Sequence, residues 1–220
     1  MARGRGEREG GARGDAPGWE RSVTEQLAAG LPMPDARFDR LFGPALQRLA
    51  HLHFTPVAAA ARAAAWLTAG GATEVCDLGA GAGKFCLVGA ATTPARFTGV
   101  ELRPGLVEVA RQAARRLGLQ RARFVEGDLR TVPLGGYQAF HVFDPFAEVE
   151  AGPDERLDPF VPTRDRSDDG TRLLARLEAA PPGARLTMFC RLDGRVPRGW
   201  SLADRIELDA RGDWLDCWVR

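Results

Sequence analysis

Residues 75–85 carry the spacing best suited to chemistry, Val-Cys-Asp-Leu-Gly-Ala-Gly-Ala-Gly-Lys-Phe. Three alternating glycines, Gly79, Gly81 and Gly83, follow an apolar strand that ends in Asp77. An apolar, helix-like segment comes directly after them. A glycine loop between a strand and a helix lets the backbone approach a nucleotide-type ligand, and the details of the loop decide which nucleotide fits.

Two phosphate-binding interpretations of this loop fit poorly. A P-loop needs a glycine where Leu78 stands and a hydroxyl where Phe85 stands. A dinucleotide fingerprint needs its third glycine at the position of Lys84, and Asp77 would face the pyrophosphate unfavourably. An NAD-type oxidoreductase on a related sheet therefore remains an alternative that the glycine spacing disfavours.

S-adenosylmethionine (SAM) fits the same loop better, because it carries a sulfonium and an ammonium and has no phosphate. Asp77, at the tip of the first strand, suits such a cationic ligand. Glu101 closes the second strand and can accept hydrogen bonds from both ribose hydroxyls. Asp128 follows the third strand and can accept from the adenine amino group. All three acids fall at the carboxyl ends of strands, where open parallel sheets bind their ligands.

These residues resemble the class I SAM-dependent methyltransferase family over residues 55–146. The four ordered motifs are residues 77–83, Glu101, residues 126–128 and residues 143–146. The resemblance implies a Rossmann-like, seven-stranded fold and SAM as the cofactor. The cofactor-binding residues that it implies are Asp77, Gly79, Ala80, Gly81, Gly83, Glu101, Asp128 and Leu129. A protein that binds SAM without catalysing a reaction remains an alternative, because these acids indicate cofactor binding and not turnover.

Asp144, Pro145 and Phe146 follow the fourth strand and are the predicted catalytic residues. They resemble the Asp/Asn-Pro-Pro-Tyr/Phe motif of methyltransferases that act on nitrogen, with one proline missing. In that motif the polar side chain and a carbonyl accept hydrogen bonds from an amino group, and the aromatic ring stacks on a planar substrate. We therefore expect a nitrogen acceptor on a small molecule or a protein side chain, lysine included, and no metal. The alternative is a turn that ends the strand.

Three histidines and one lysine complete the candidates. His141 lies in the fourth strand as a general base or a buried structural residue. His51 and His53 lie in a segment expected to cover the cofactor, as site residues or as ordinary loop histidines. Lys84 is the only lysine among 30 basic residues. It opposes the helix dipole, and we place its ammonium beside Asp77 or the SAM carboxylate as a hypothesis.

The composition indicates one domain in a reducing compartment. The chain has 220 residues, 45% of them hydrophobic, a net charge of +1 and a pI of about 7.7. This balance argues against a nucleic-acid or membrane-surface partner, and no apolar run approaches the roughly 20 residues of a membrane span. Four cysteines show no metal-binding spacing and are expected as buried free thiols: Cys76, Cys86, Cys190 and Cys217. We expect a cytoplasmic protein.

Strands and helices alternate from residue 73 onward. This order predicts an α/β fold, a three-layer α/β/α sandwich with a mostly parallel seven-stranded sheet and an antiparallel C-terminal hairpin. We divide the chain into a disordered tail (1–21) and one methyltransferase domain (22–220), in which a helical cap (22–70) precedes a Rossmann-like core (71–220). The predicted strands are 73–78, 96–101, 122–126, 137–143, 184–190, 205–208 and 214–219. The predicted helices are 22–30, 36–42, 56–68, 84–91, 104–117 and 172–180, and the loop 152–170 is expected to shape the acceptor pocket.

Overall fold

The computed structural model describes residues 18–158, 166–189, 195–208 and 212–220. Seven strands form one sheet in the order β3-β2-β1-β4-β5-β7-β6. Their bounds are β1 Glu74–Leu78, β2 Arg96–Glu101, β3 Ala122–Glu126, β4 Ala139–Phe143, β5 Arg185–Phe189, β6 Ser201–Glu207 and β7 Trp214–Val219. The first five strands pair in parallel, and β7 pairs antiparallel with both β5 and β6. The predicted fold class is confirmed.

Helices cover both faces of the sheet. They are α1 Trp19–Ala28, α2 Asp35–Phe38, α3 Pro44–His53, α4 Val57–Thr68, α5 Lys84–Thr92, α6 Pro104–Leu117, α7 Ala147–Glu150 and α8 Arg166–Leu177, with 3-10 turns at Asp39–Leu41 and Pro153–Glu155. Side chains alternate along the strands, so Val75 packs with α1 to α6 in one apolar cluster. Its neighbour Cys76 packs with α8 in the cluster on the opposite face. This alternation gives the three layers.

The N-terminal boundary differs from the prediction. Helix α1 begins at Trp19, after Gly18 in a left-handed conformation, and not at Ser22, where the predicted helix starts. Tertiary contacts extend the helix toward its N-terminus. The Arg116 guanidinium donates a hydrogen bond to the Glu20 carboxylate and lies over the Trp19 ring. The predicted tail residues 19–21 are therefore helical, while residues 1–17 lie outside the described part of the chain.

Two other elements also depart from the prediction. The predictions omitted α3, although Pro44 stands at its first helical position, where proline is favoured. Strand β6 begins at Ser201 and not at residue 205, because its pairing with β7 extends to Val219 across a register shift. Most of β6 is exposed, so its sequence lacks the alternation that marks a half-buried strand.

Helix α8 begins six residues before the predicted start. It runs from Arg166 to Leu177 and includes Gly170, a residue of low helix propensity. Two acids, Asp168 and Asp169, occupy its first turn, where they complement the helix dipole. The predicted loop 152–170 is therefore helical from Arg166 onward, and its residues 159–165 lie outside the described ranges.

Candidate functional site

The glycine loop between β1 and α5 is held close to the neighbouring strand and to the turn after β4. Gly79 and Ala80 both donate their backbone N–H groups to the carbonyl of Val100, at 2.9 Å each. Gly79 has a φ of 88°, and a Cβ there would lie 2.6 Å from Cβ of Pro145. Gly83 caps α5 with a φ of 84°, and a Cβ there would lie 2.5 Å from the Phe124 ring. Only glycine fits both positions without displacing a neighbour.

Asp77 lies beneath this loop and is 3% exposed. Burial raises the pKa of its carboxyl group to about 7, the thiol of Cys86 opposes this by donating at 3.6 Å, and the charge of Glu101 raises the pKa further. A carboxylate in such surroundings is stabilised by a cation. Asp77 is therefore placed to favour a cationic group bound at the loop.

Glu101 ends β2 and is 5% exposed. One carboxylate oxygen accepts the N–H of Gly81 at 3.0 Å. The other accepts the backbone N–H and Nε of Arg103, at 3.0 and 2.8 Å. The predicted ribose-binding carboxylate is thus oriented by the glycine loop on one side and by an arginine on the other.

Arg103 links this carboxylate to the segment after β4. Its guanidinium also donates to Glu148 at 2.6 Å, and Glu148 accepts the backbone N–H of Leu157 at 2.8 Å. The side chain of Leu157 lies against Gly81. Sequence reasoning missed this link, although Arg103 stands two residues after Glu101 and so at the same strand end.

Asp128 follows β3 and is bound by Arg130. Its two carboxylate oxygens accept from the Arg130 guanidinium at distances of 2.6 to 3.0 Å. Arg130 also donates to Asp169 of α8 at 3.0 Å. The predicted adenine-binding residue is therefore part of a charge network that joins the end of β3 to α8.

A cavity at the carboxyl ends of β1, β2 and β3 brings six of the predicted site residues together. The predicted residues that line it are Gly79, Glu101, Asp128, Leu129, Pro145 and Phe146. It is also lined by Val100, Leu102, Arg103, Gly127, Glu148, Val149 and Asp169. We call this space the first cavity. Its walls are mostly apolar, with the carboxylates of Glu101 and Asp128 at two strand ends, which is a lining typical of a small-molecule site.

The other predicted cofactor residues lie next to this cavity and not in its lining. Asp77 lies at the buried end of β1, and Gly83 is packed against α6 and β3. Gly81 lies beside the ring of Phe54 and the side chain of Leu157. Among the described residues, the lining of the first cavity includes neither these three nor the fourth predicted residue, Ala80.

The turn after β4 has a strained residue at its start. Asp144 has a φ of 34°, the only non-glycine residue with a positive φ among those described. Its N–H donates to the carbonyl of Phe189 at 2.6 Å, and its carboxylate accepts from Arg166 at 2.8 Å. Arg166 also donates to the carbonyl of Phe146 at 3.3 Å. Such strain persists where surrounding contacts over-determine it, and it concentrates at functional sites.

The turn separates the first cavity from a second one. The second cavity is lined by His51, Leu52, His53, Phe54, Pro56, Phe143, Asp144, Ala147, Ala151, Glu155, Phe189, Leu208 and Asp213. Asp144 faces this second cavity, whereas Pro145 and Phe146 line the first one. Phe146 is 5% exposed and packs in the core cluster under α8. The structure therefore places the predicted catalytic residues on both sides of one turn.

His141 is a structural residue and not an accessible base. Its ring is fully buried, forms hydrogen bonds with the hydroxyls of Thr55 and Thr187 at 3.0 and 2.8 Å, and stacks on Phe85 at 3.7 Å. Burial lowers its pKa to about 3. His51 and His53 line the second cavity, and Nε2 of His53 lies 2.6 Å from the carbonyl oxygen of Glu155.

Lys84 lies away from Asp77, so the hypothesis that pairs the two is wrong. Its ammonium is buried between Asp35 and Asp39 of the N-terminal segment, at 2.6 and 2.7 Å. Asp35 also accepts the first N–H of α4, at Val57, and so caps α4 rather than the short helix predicted after it. Lys84 is the counter-ion of two acids about 45 to 49 residues earlier in the chain, a pairing that the local sequence does not reveal.

The described residues contain no helix that is long and apolar enough to cross a membrane. Within the same ranges, no group of three or more His, Cys, Asp or Glu side chains has a metal-binding arrangement. Three of the four cysteines, Cys76, Cys86 and Cys217, are buried free thiols. Cys190 lies outside the described residues.

Comparison with known proteins matches part of the chain to a family. Residues 70–146 match a family model described as a methyltransferase domain. Over 55 residues the chain is 44% identical to the release factor glutamine methyltransferase of Vibrio cholerae serotype O1. That match covers 24% of this chain and 19% of the relative, so it spans about a fifth of the relative's length.

Two solved structures share the fold. TrmN from Thermus thermophilus matches with a TM-score of 0.57 and 21% identity, over 83% of this chain and 52% of that one. The mitomycin 7-O-methyltransferase MmcR matches with a TM-score of 0.53 and 20% identity, over 93% of this chain and 69% of that one. At these identities the likeness shows the fold alone. The family match indicates a methyltransferase domain at residues 70–146, and the two solved structures confirm the Rossmann-like fold.

Proposed function

We propose that this protein transfers the methyl group of SAM to a nitrogen atom of a small molecule or a protein side chain, lysine included. One observation carries the proposal. The Asp144–Phe146 turn lies between the first cavity, which the cofactor acids line, and a second cavity that Asp144 faces. Cofactor and acceptor can therefore meet across a single turn. The name of the Vibrio cholerae relative, which acts on glutamine, supports a nitrogen acceptor.

The residues that line the first cavity, together with Asp77 and the glycine loop next to it, fit SAM. Glu101 offers an oriented carboxylate to the two ribose hydroxyls, and Asp128 offers one to the adenine amino group. Asp77 supplies a buried negative charge near the cationic end of the ligand, and the loop of Gly79, Ala80, Gly81 and Gly83 gives that end close backbone approach. Leu129 adds an apolar wall beside the base. Bound SAM supplies an electrophilic methyl group on a sulfonium that leaves as a neutral thioether.

The chain contributes positioning rather than a base. Asp144 would accept a hydrogen bond from the acceptor nitrogen and so aim its lone pair across the turn. Arg166 fixes the Asp144 carboxylate and the Phe146 carbonyl, which keeps the turn in place. As the nitrogen–carbon bond forms and the carbon–sulfur bond breaks, the proton left on the nitrogen goes to solvent. Alignment of this kind lowers the barrier without covalent chemistry.

A labelling experiment tests the acceptor class. The protein is incubated with SAM carrying a radioactive methyl group and with size-fractionated lysate. We expect label in the small-molecule or protein fraction, on an atom that resists base hydrolysis as an N-methyl group does. Label in the nucleic-acid fraction would contradict the proposed acceptor class and indicate a nucleic-acid acceptor. Absence of transfer in every fraction, with cofactor binding intact, would favour a SAM-binding protein without turnover.

The proposal extends to the protein's organisation. We propose residues 22–70 as a helical cap on a core of residues 71–220, because α3 and the segment before α4 supply part of the second cavity. We also propose a cytoplasmic location, which the buried free thiols support. Metal is not part of the proposed chemistry, in which alignment and charge suffice.

A further inference from the structure

The lining of the first cavity contains a buried acid that the proposed function leaves without a role. Asp169 lines this cavity and is 2% exposed. It belongs to the first turn of α8, whereas Asp128, the acid predicted to bind adenine, follows the end of β3. A helix and a strand end thus each present a carboxylate to the same space.

Arg130 holds these two carboxylates at one end of the cavity. Its Nη1 donates to Asp169 at 3.0 Å, and its Nη2 donates to Asp128 at 2.6 Å. Arg130 is not among the described residues that line the cavity, so it contacts both acids from outside the space that a ligand would take. The shared guanidinium therefore brings Asp169 to the end of the cavity next to β3.

Hydrogen-bond counting at Asp128 indicates that a second acceptor is needed for adenine. The Asp128 carboxylate already accepts the backbone N–H, the Nε–H and an Nη2–H of Arg130. A carboxylate has about four lone-pair positions, so Asp128 has no capacity for both N–H groups of the adenine 6-amino group in addition. An amino hydrogen that is buried without an acceptor weakens binding.

We infer that Asp169 is a further cofactor-binding residue, which accepts one N–H of the adenine 6-amino group while Asp128 accepts the other. This assignment rests on the proposed function, which places the adenosine of SAM in the first cavity. It depends on the two acids as acceptors and not on their net charge, which Arg130 partly offsets. A purine with a 6-oxo group presents an acceptor where the site also presents acceptors, and so is rejected.

Analogues of S-adenosylhomocysteine test the two acceptors in the wild-type protein by calorimetric titration. S-inosylhomocysteine carries a 6-oxo group, and the N6-methyl analogue keeps one of the two N–H donors. We expect S-adenosylhomocysteine to bind at least about 50-fold more tightly than the inosyl analogue and at least about fivefold more tightly than the N6-methyl analogue. Equal binding of the N6-methyl analogue would overturn the second acceptor, because one acid would then suffice.

The variant Asp169→Asn tests the assigned side chain. Its amide has the size of the carboxylate and can donate to a 6-oxo group, so the preference for S-adenosylhomocysteine over S-inosylhomocysteine should fall at least about tenfold. Asp168→Asn is the matched control, because it makes the same change in the same helical turn at an exposed residue that the described lining does not include. The control should keep the wild-type preference.

The preference separates a cofactor-binding role from a structural one. A structural role of Asp169 lowers both affinities alike, so an unchanged preference in Asp169→Asn would overturn the inference, as would an equal loss of preference in the control. Circular dichroism checks the fold. Asp169→Ser, whose hydroxyl can also donate to a 6-oxo group, is a second variant with the same expected loss of preference.

The wild-type titrations also distinguish this inference from the proposed function. A wild type that binds none of the three ligands would contradict the proposed function, and this inference with it. A wild type that binds S-adenosylhomocysteine and S-inosylhomocysteine equally would overturn this inference alone.

Discussion

Individual carboxyl groups in this protein differ sharply in their surroundings. Asp77 is buried beneath the glycine loop, and burial raises its pKa to about 7. Asp144 lies at a strained turn and is held by Arg166. The same side-chain type can therefore serve as a buried partner for a cation at one position and as an oriented hydrogen-bond acceptor at another. Substitutions at the two positions should have separable effects.

The buried carboxyl of Asp77 should reduce stability at high pH. Its folded-state pKa of about 7 lies above the ordinary value of 3.8, so the native protein holds more protons than the unfolded chain between these values. Stability therefore falls as pH rises through that window. We expect Asp77→Asn without ligand to exceed the wild type in unfolding free energy by about 1–3 kcal/mol at pH 8, and to match it near pH 4.

Urea unfolding at several pH values checks this prediction. Glu126→Gln, at an exposed strand end, is the control and should track the wild type throughout. The same Asp77→Asn variant should bind S-adenosylhomocysteine more weakly, because the charge opposite the ligand's ammonium is gone. A stability difference that does not vary with pH would contradict the account of Asp77.

The carboxylate of Asp144 should matter for transfer and not for cofactor binding. We expect Asp144→Ala to keep the wild-type affinity for S-adenosylhomocysteine and to lower turnover about 100-fold, through loss of an oriented acceptor. Asp144→Gly removes the same carboxylate and suits the left-handed backbone at this position. Both variants should lose turnover alike. Turnover at the wild-type rate in Asp144→Gly would refute the role of this side chain.

The elements that carry the site are joined by buried charges. Helix α5 begins at Lys84, whose ammonium lies between Asp35 and Asp39 of the helical cap. Asp35 in turn caps α4. This arrangement ties the glycine loop to the segment that carries Phe54, a residue that lies beside Gly81 and lines the second cavity.

Removal of the Lys84 ammonium should destabilise this junction. Lys84→Met leaves two carboxylates facing each other without their cation, at an expected cost of about 3 kcal/mol in unfolding free energy. Burial already raises the pKa of Asp39, with the Lys84 charge opposing this. The double variant Lys84→Met/Asp39→Asn should recover part of the loss, because one unpaired charge is removed.

Unfolding in guanidinium chloride of Lys84→Met, Asp39→Asn and the double variant measures the coupling free energy between Lys84 and Asp39. Arg96, exposed and paired with Glu74, offers the control Arg96→Met, which should cost less than about 1 kcal/mol. A Lys84→Met protein as stable as the wild type would contradict the structural role of this lysine.

The elements also show what the sequence can and cannot reveal. The bounds of β2, α6, β3 and β7 agree with the predictions, because apolar periodicity, a proline start and a glycine end mark them. Strand β6 is mostly exposed, and its extent depends on a partner that the sequence does not identify. The partners of Lys84 lie 49 and 45 residues earlier, at Asp35 and Asp39, so only the folded chain brings them together.

At the scale of the whole molecule, the sheet order places the ends of β1 to β5 along one edge. The strand pattern alone predicts that acids lie at the ends of β1, β2 and β3. The prediction of a cofactor site at this edge of the sheet rests on those acids. The second cavity needs α3, the segment after β4 and the β6–β7 hairpin to meet. Because these parts are distant in sequence and carry no shared motif, sequence reasoning identified Asp144 and missed the aromatic wall of Phe54, Phe143 and Phe189.

Calorimetric titration of S-adenosylhomocysteine into the protein tests the central claim most directly. We expect one site per chain with a dissociation constant in the micromolar range, and no binding of NAD. Binding to Glu101→Gln should be at least about tenfold weaker, because a neutral amide replaces the carboxylate that would accept hydrogen bonds from the ribose hydroxyls. Thr131→Val, beside the cavity but not lining it, should bind like the wild type. A wild-type protein that binds NAD and not S-adenosylhomocysteine would contradict the account.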